Sequence, residues 1–263
     1  MHSPLNDEWG LCVTIQHLHP PGQIEPECLV ARCSIRRFSI EEVPLAHADE
    51  VSTFVMQKRR DEHLTGRWLL AKVLHQLGHD PSLLSVERTQ HRAPYLAYIH
   101  GVWKNTPLPS ISVGHSDGWA YVAVVEHGWR IGVDAEASER GIQANAFDMM
   151  AKGEELARLN AHPDCAIEMW VSKEAVQKAL GLGMHLNPRE IEIPIGVEKS
   201  YFSIGKSKIQ LIKWIHHEAQ IALALTPGSL SVATAEDRLL DATKVAMSKG
   251  DWDVGCNTAR NNV

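Results

Sequence analysis

Trp170-Val171-Ser172-Lys173-Glu174-Ala175-Val176-Gln177-Lys178-Ala179-Leu180-Gly181 is the stretch on which the fold turns. Apolar residues recur at helical spacing from Ile167 to Leu180, and Gly181 and Gly183 supply the stop. An earlier stretch, Arg67-Trp68-Leu69-Leu70-Ala71-Lys72-Val73-Leu74, ends at Gly78 in the same way and forms the apolar part of a helix over about 56–78. A proline and short strands follow each helix. Each half then closes on a strand, Trp119 to Val125 in the first and Gln220 to Leu225 in the second. This order predicts a weak internal duplication: an α+β lobe over 1–127, a second over 128–228, and a C-terminal extension over 229–263. Ligands often bind where two lobes meet.

Working outward, Cys12 to Gln16 and Cys28 to Ile35 read as strand-like or irregular, and 81–86 as a turn with a short helix or strand. Tyr95 to Ile99, Ile111 to Val113 and Trp129 to Glu136 read as strands, with a small-residue loop over Ser112 to Gly118. One helix is expected from Asn145 to Asn160, containing Glu154 and Glu155. Extended segments are expected at 189–195, 200–204, 208–215 and 218–225. In the extension, Ala233 to Met247 has the pattern of an amphipathic helix, and the last dozen residues read as loose.

Composition sets the outer limits. The 263 residues, 44% hydrophobic and 22% charged, describe an ordinary globular protein with ample core. A net charge of -6 argues against bulk nucleic-acid binding. No apolar run has the length of a membrane span, and the N-terminus shows no apolar stretch of the signal-peptide kind. Five cysteines without a C-x-x-C pair read as reduced thiols, so a cytoplasmic location is expected. Of the fifteen histidines, neither His17 and His19 nor His216-His217 has zinc-site spacing.

The residues able to carry chemistry begin with Asp134 and Glu136. In a strand, positions i and i+2 point to one face, about 7 Å apart. Two carboxylates so placed repel unless a cation lies between them, and hard oxygen ligands suit Mg²⁺. Taken alone, the pair reads first as a solvated strand end. Trp170, Glu174 and Lys178, spaced by four, form one helical stripe, with Glu174 about 6 Å along the axis from Lys178. Together they could serve a metal and a phosphate; alone they read as an ordinary i,i+4 ion pair. The small-residue loop with His115 and Ser116 could cradle phosphate through its N–H groups. Arg59, Arg60 and Arg67 near the start of the first helix, and Arg92 before Pro94, offer guanidinium forks suited to the same anion.

All these elements occur in one order in a known family. The sequence resembles the Sfp-type 4′-phosphopantetheinyl transferases. Their G-(V/I)-D-x-E motif stands here as Gly132-Val133-Asp134-Ala135-Glu136, and their W-x-x-K-E-A-x-x-K motif as Trp170 to Lys178, complete, about 35 residues on. Looser matches are Gly114-His115-Ser116 for S-H-S, Ala93-Pro94-Tyr95-Leu96 for K-P-Y-L, and Leu64-Thr65-Gly66-Arg67 for L-x-G-R. The chain departs from the pattern at Ala93, where the family has lysine, at Ser112 and Gly114, and at Met149-Met150, where the family has paired aromatics leading to the helix glutamate, here Glu154.

The resemblance implies a pseudo-two-fold α+β monomer with coenzyme A in the cleft between the lobes. Asp134, Glu136 and Glu174 would hold Mg²⁺ on the pyrophosphate. Arg60, Arg67, Arg92, His115, Ser116, Lys173 and Lys178 would contact the coenzyme. Asp134, Glu174 and Lys178 would carry the catalysis, with Lys178 neutralising the departing 3′,5′-ADP and Glu174, or a water on the metal, taking the acceptor proton. The second substrate would be an acyl or peptidyl carrier protein, received near the first helix and the Met149-Met150 region. Two alternatives are a different Mg²⁺ enzyme acting on a pyrophosphate and a degenerate homologue that binds a carrier without chemistry. The complete second motif argues against the former, and the three carboxylates against the latter.

Overall fold

The computed structural model describes residues 13–229 except 103, 105 and 195. The expectations placed on Cys12 and on the extension after 229 lie outside the described residues. Ten strands and five α-helices occupy the rest. In chain order they are β1 (Gln16–Leu18), β2 (Cys28–Ser34), α1 (Ala48–Ser52), α2 (Gln57–Gln76), β3 (Leu84–Arg88), β4 (Pro94–Tyr98), β5 (Ser110–Ser116), β6 (Trp119–Val125), β7 (Trp129–Ala137), α3 (Phe147–Met150), α4 (Gly153–Ala161), α5 (Ala166–Leu180), β8 (Lys199–Ile204), β9 (Ser207–His216) and β10 (Ala219–Pro227). The mixture is α+β.

The strands form two four-stranded antiparallel sheets, ordered β1-β2-β6-β5 and β7-β10-β9-β8, and a separate β3-β4 hairpin. The sheets share a local plan. In the first, β2 precedes the long helix α2, and the β5-β6 hairpin that follows returns to lay β6 beside β2. In the second, β7 precedes α5, and the β9-β10 hairpin returns to lay β10 beside β7.

Strand alternation sorts the core into layers. Ala120, Val122 and Val124 of β6 join the cluster under α2, with Leu64, Leu69 and Leu74. Tyr121, Ala123 and Val125 point the other way. They pack with Ile131, Val133 and Ala135 of β7 and Ile221, Leu223 and Leu225 of β10, so the two sheets meet face to face. Ala222 and Ala224 turn outward against Val171, Ala175 and Ala179 of α5. The layers therefore run α2, first sheet, second sheet, α5.

Three local expectations are corrected. Ser112 to Ser116 is strand, not loop: Gly114, His115 and Ser116 pair with Tyr121, Ala120 and Trp119, so the pairing with β6 replaces the cradle of free N–H groups, and only Asp117 and Gly118 turn, both at positive φ. The helix expected over 145–160 is broken. Ala151 and Lys152 are extended and Gly153 is left-handed, because the buried Lys173 ammonium takes the Met150 carbonyl that the next turn would have used. In 189–195, Pro188–Glu190 is a 3₁₀ turn capped by Asn187, and the described residues from there to 194 are not strand. The short helix α1 was not foreseen; five residues carry too little periodicity.

One glycine fixes how close the second helix lies. A Cβ on Gly132 would sit 2.0 Å from the Ala175 carbonyl oxygen and 2.5 Å from the Ala179 nitrogen, so α5 rests directly on β7. Gly132→Ala is expected to destabilise the protein by about 3 kcal/mol or more, because the helix must move off the strand. Chemical denaturation would show it, and an unchanged midpoint would refute the packing argument.

Candidate active site

Even-numbered residues of β7 face α5, as Gly132 shows, so Asp134 and Glu136 emerge where the Glu174–Lys178 stripe passes. Lys178 Nζ donates to Asp134 Oδ1 at 2.7 Å and to the Val133 carbonyl at 3.1 Å. β5 closes the other side. A Cβ on Gly114 would lie 3.3 Å from Lys178 Nζ and 3.4 Å from the Val133 oxygen, and Val133 N–H donates to Ser112 Oγ at 3.0 Å. Ser112 and Gly114, where the chain departs from the family pattern, thus join β5 to β7 directly beneath the lysine.

Three carboxylates and one ammonium share this space. Burial, then repulsion from Asp134 and Glu136, pushes Glu174 up to about 7 despite the pull of Lys178. Burial likewise raises Asp134 above the ordinary carboxylate range, against the attraction of Lys178. Burial opposes the Lys178 charge, yet Asp134 and Glu174 outweigh it and raise its affinity for the proton. No hydrogen-bond donor reaches the Glu174 carboxylate among the described residues.

Glu136 lies at the rim. Its Oε2 accepts from Ser116 Oγ at 2.7 Å and from Arg140 Nη1 at 2.7 Å. His115, next to Ser116, is half-exposed; its Nε2 lies 3.2 Å from Arg59 Nη1 and its Nδ1 3.7 Å from Glu62 Oε2. Burial lowers the His115 pKa, Arg59 and Lys178 lower it further, and Glu62 and Asp134 oppose them. His115 therefore shares the electrostatic field of Lys178 and Asp134.

Other residues singled out in the sequence lie elsewhere. Lys173 is fully buried, and its ammonium donates to Met150 O at 2.7 Å, Glu155 Oε2 at 2.5 Å and Pro188 O at 3.0 Å. It ties α5 to the α3–α4 break, so its assignment to the coenzyme is corrected: the helical turn from 174 to 173 rotates it away from the β7 side. Its carboxylate partner is Glu155. Arg67 is also buried, in a cluster where Glu50 meets Arg67 at 3.5 Å, His63 at 3.7 Å and Arg88 in close contact. Burial lowers Arg67 to about 10 and His63 to about 4. Arg67 is thus held by the chain's own Glu50. Arg60 interacts with exposed Glu41. Arg92 is exposed at the tip of the β3-β4 hairpin with φ 63°, and its carbonyl accepts from Arg88 Nη1 at 3.1 Å. That tip reaches the loop after α5, where the His91 and His185 rings lie 4.6 Å apart. Met149 is exposed but Met150 is core, so only the former can offer an apolar contact to a partner.

Sequence reasoning missed Glu50, Glu62 and Arg140. Glu62 left a signal: it lies on the same helical stripe as Gly66, Leu69 and Val73, where a charge needs a partner. Arg140 left none, since its pairing depends on the turn after β7.

Among the described residues, no group of three or more His, Cys, Asp or Glu side chains is gathered tightly enough to hold a metal ion. The donor chemistry nevertheless fits a hard cation. Asp134 and Glu174 are each raised by burial and by the neighbouring carboxylates, Lys178 offsets only part of this, and Arg140 reaches only Glu136 at the rim.

Residues 130–235 match the family model of the 4′-phosphopantetheinyl transferase superfamily. The matched segment is thus similar to that superfamily, and it holds Asp134, Glu136, Glu174 and Lys178. No curated protein matches the chain. No helix among the described residues is long and apolar enough to cross a membrane.

The Glu174 shift has a stability consequence. Its folded pKa of about 7 lies above the ordinary 4.5, so the fold favours the protonated acid. That contribution is full below 4.5 and is lost as pH rises through 7. In EDTA, Glu174→Gln is expected to gain about 2 kcal/mol on the wild type between acidic and mildly alkaline pH. Parallel stability curves across that range would refute the shift.

Proposed function

We propose, taking the similarity of residues 130–235 to this superfamily as the premise, that the chain transfers the 4′-phosphopantetheine arm of coenzyme A to a serine of an apo acyl or peptidyl carrier protein, releasing 3′,5′-ADP. The carrying observation is the meeting of Asp134, Glu174 and Lys178 where α5 lies against β7, inside the matched segment. We read the repeated strand plan as two lobes, 1–127 and 128–228, with the site at their junction; β5 of the first supplies Gly114, His115 and Ser116 to it.

The reaction needs in-line positioning and charge neutralisation more than covalent help. The serine Oγ attacks the phosphorus nearer the pantetheine, and the bond from that phosphorus to the bridging oxygen breaks. Glu174 accepts the hydroxyl proton; a carboxylate held near neutrality does so more readily than an ordinary one. Lys178 stays charged and offsets the negative charge on the leaving oxygen. In this reading His115 and Arg59 would meet the pyrophosphate oxygens, and exposed Arg92 would meet an outer phosphate. Asp134, Glu136 and Glu174 would hold Mg²⁺, which would neutralise pyrophosphate charge.

The deciding assay incubates an apo carrier with coenzyme A, Mg²⁺ and the protein and weighs the carrier by mass spectrometry. A gain of the phosphopantetheine mass that EDTA abolishes is expected. No gain with carriers of several types would overturn the proposal in favour of a degenerate carrier-binding homologue. Asp134→Ala and Glu174→Ala are each expected to lower turnover by about 10²-fold or more while the fold persists; near-normal turnover in either would refute its role. Arg92→Ala is expected mainly to raise KM for coenzyme A, about tenfold, with kcat little changed. An unchanged KM would show that Arg92 does not replace the lysine missing at Ala93.

A further inference from the structure

Glu62 is a buried acid that this chemistry leaves unused. It projects from α2 and is 6% exposed. Its carboxylate lies 3.1 Å from Arg59 Nη1, 3.9 Å from Lys58 Nζ and 3.7 Å from His115 Nδ1. The same Arg59 nitrogen lies 3.2 Å from His115 Nε2. A guanidinium can only donate, so Nε2 accepts, and the proton of the neutral imidazole sits on Nδ1, toward Glu62. Packing alone does not call for an acid here, because an apolar side chain would fill the space without the cost of desolvating a charge.

We propose that Glu62 is a positioning residue for His115: its carboxylate holds the Nδ1 side of the ring, so that Nε2 is the nitrogen presented to an incoming phosphate oxygen. The inference rests on the reading above, in which His115 faces the pyrophosphate. The charged groups acting on His115 are Glu62 and Arg59 from α2, Lys178 from α5 and Asp134 from β7. Asp134 is already paired with Lys178. Glu62 is therefore the main influence favouring an imidazolium. Arg59, whose side chain is more than half exposed, can turn from Nε2 to an arriving anion, and Nε2 can then take a proton from solvent and donate it in a hydrogen bond. The pairing with Glu62 stays behind the ring and fixes its direction.

The test compares Glu62→Gln, Glu62→Asp, His115→Ala and the double variant Glu62→Gln/His115→Ala in the full-length protein. Glu62→Gln is expected to raise KM for coenzyme A about tenfold, with kcat changed less than about twofold. In the His115→Ala background the same substitution is expected to add less than about twofold. An equal loss in both backgrounds would make Glu62 merely structural and overturn the proposal. Glu62→Asp keeps the charge and is expected to recover most of the KM; a loss as large as that of Glu62→Gln would also overturn it. A second readout needs no activity. The His115 pKa, followed by NMR in the free protein, is expected to fall by about half a unit or more in Glu62→Gln, and an unchanged value would overturn the proposal. If the wild type transfers nothing to any carrier, the proposed reaction fails while the NMR measurement still decides Glu62.

Discussion

The contact between the Gly132 Cα and the Ala175 carbonyl is the constraint on which the site depends. Any side chain at 132 would meet the helix backbone, so glycine there sets the distance between β7 and α5. That distance brings Lys178 to Asp134 and to the Val133 carbonyl. On the opposite side Gly114 leaves room for the same ammonium, and Ser112 takes the Val133 N–H that lies beside it. The lysine is clamped between strands of two different sheets.

Charge balance is the second theme. Asp134, Glu136 and Glu174 crowd one region, and burial keeps water from Asp134 and Glu174. Lys178 offsets part of this, and Arg140 and Ser116 hold Glu136 at the rim. The remainder appears as the raised pKa of Glu174 and Asp134. Such a site has stored affinity for positive charge, which suits a polyanionic substrate accompanied by a divalent cation. A few residues away, Lys173 shows the opposite use of a buried ammonium: fully satisfied by three oxygens, it braces the helix from behind.

Much of this was legible in the sequence. Both long helices, most of the strands, and the pairing of Asp134 and Glu136 with Glu174 and Lys178 follow from periods of 2 and 3.6 and from two motifs. The errors share one origin. Ser112 to Ser116 looked like a loop because small residues dominate it; they are small because β5 runs tight against β7, α2 and the Lys178 ammonium. The resemblance implied Lys173 as a coenzyme ligand, yet it points about 100° away from Glu174 around the helix. Arg67 looked like a free cation until the structure placed Glu50 beside it.

Local pattern thus determined which residues share a face: Asp134 with Glu136, Glu174 with Lys178, and the apolar rows behind them. Those relations need only the geometry of one strand or one helix. Tertiary structure decided which faces meet. It set β5 against β7, put Glu62 and Arg59 beside His115, turned Arg140 onto Glu136, and buried Lys173 and Arg67 in ion pairs of their own. Each of these depends on the distance between segments far apart in the chain, and that distance is fixed by packing, where a missing Cβ at Gly132 counts for more than any charge nearby.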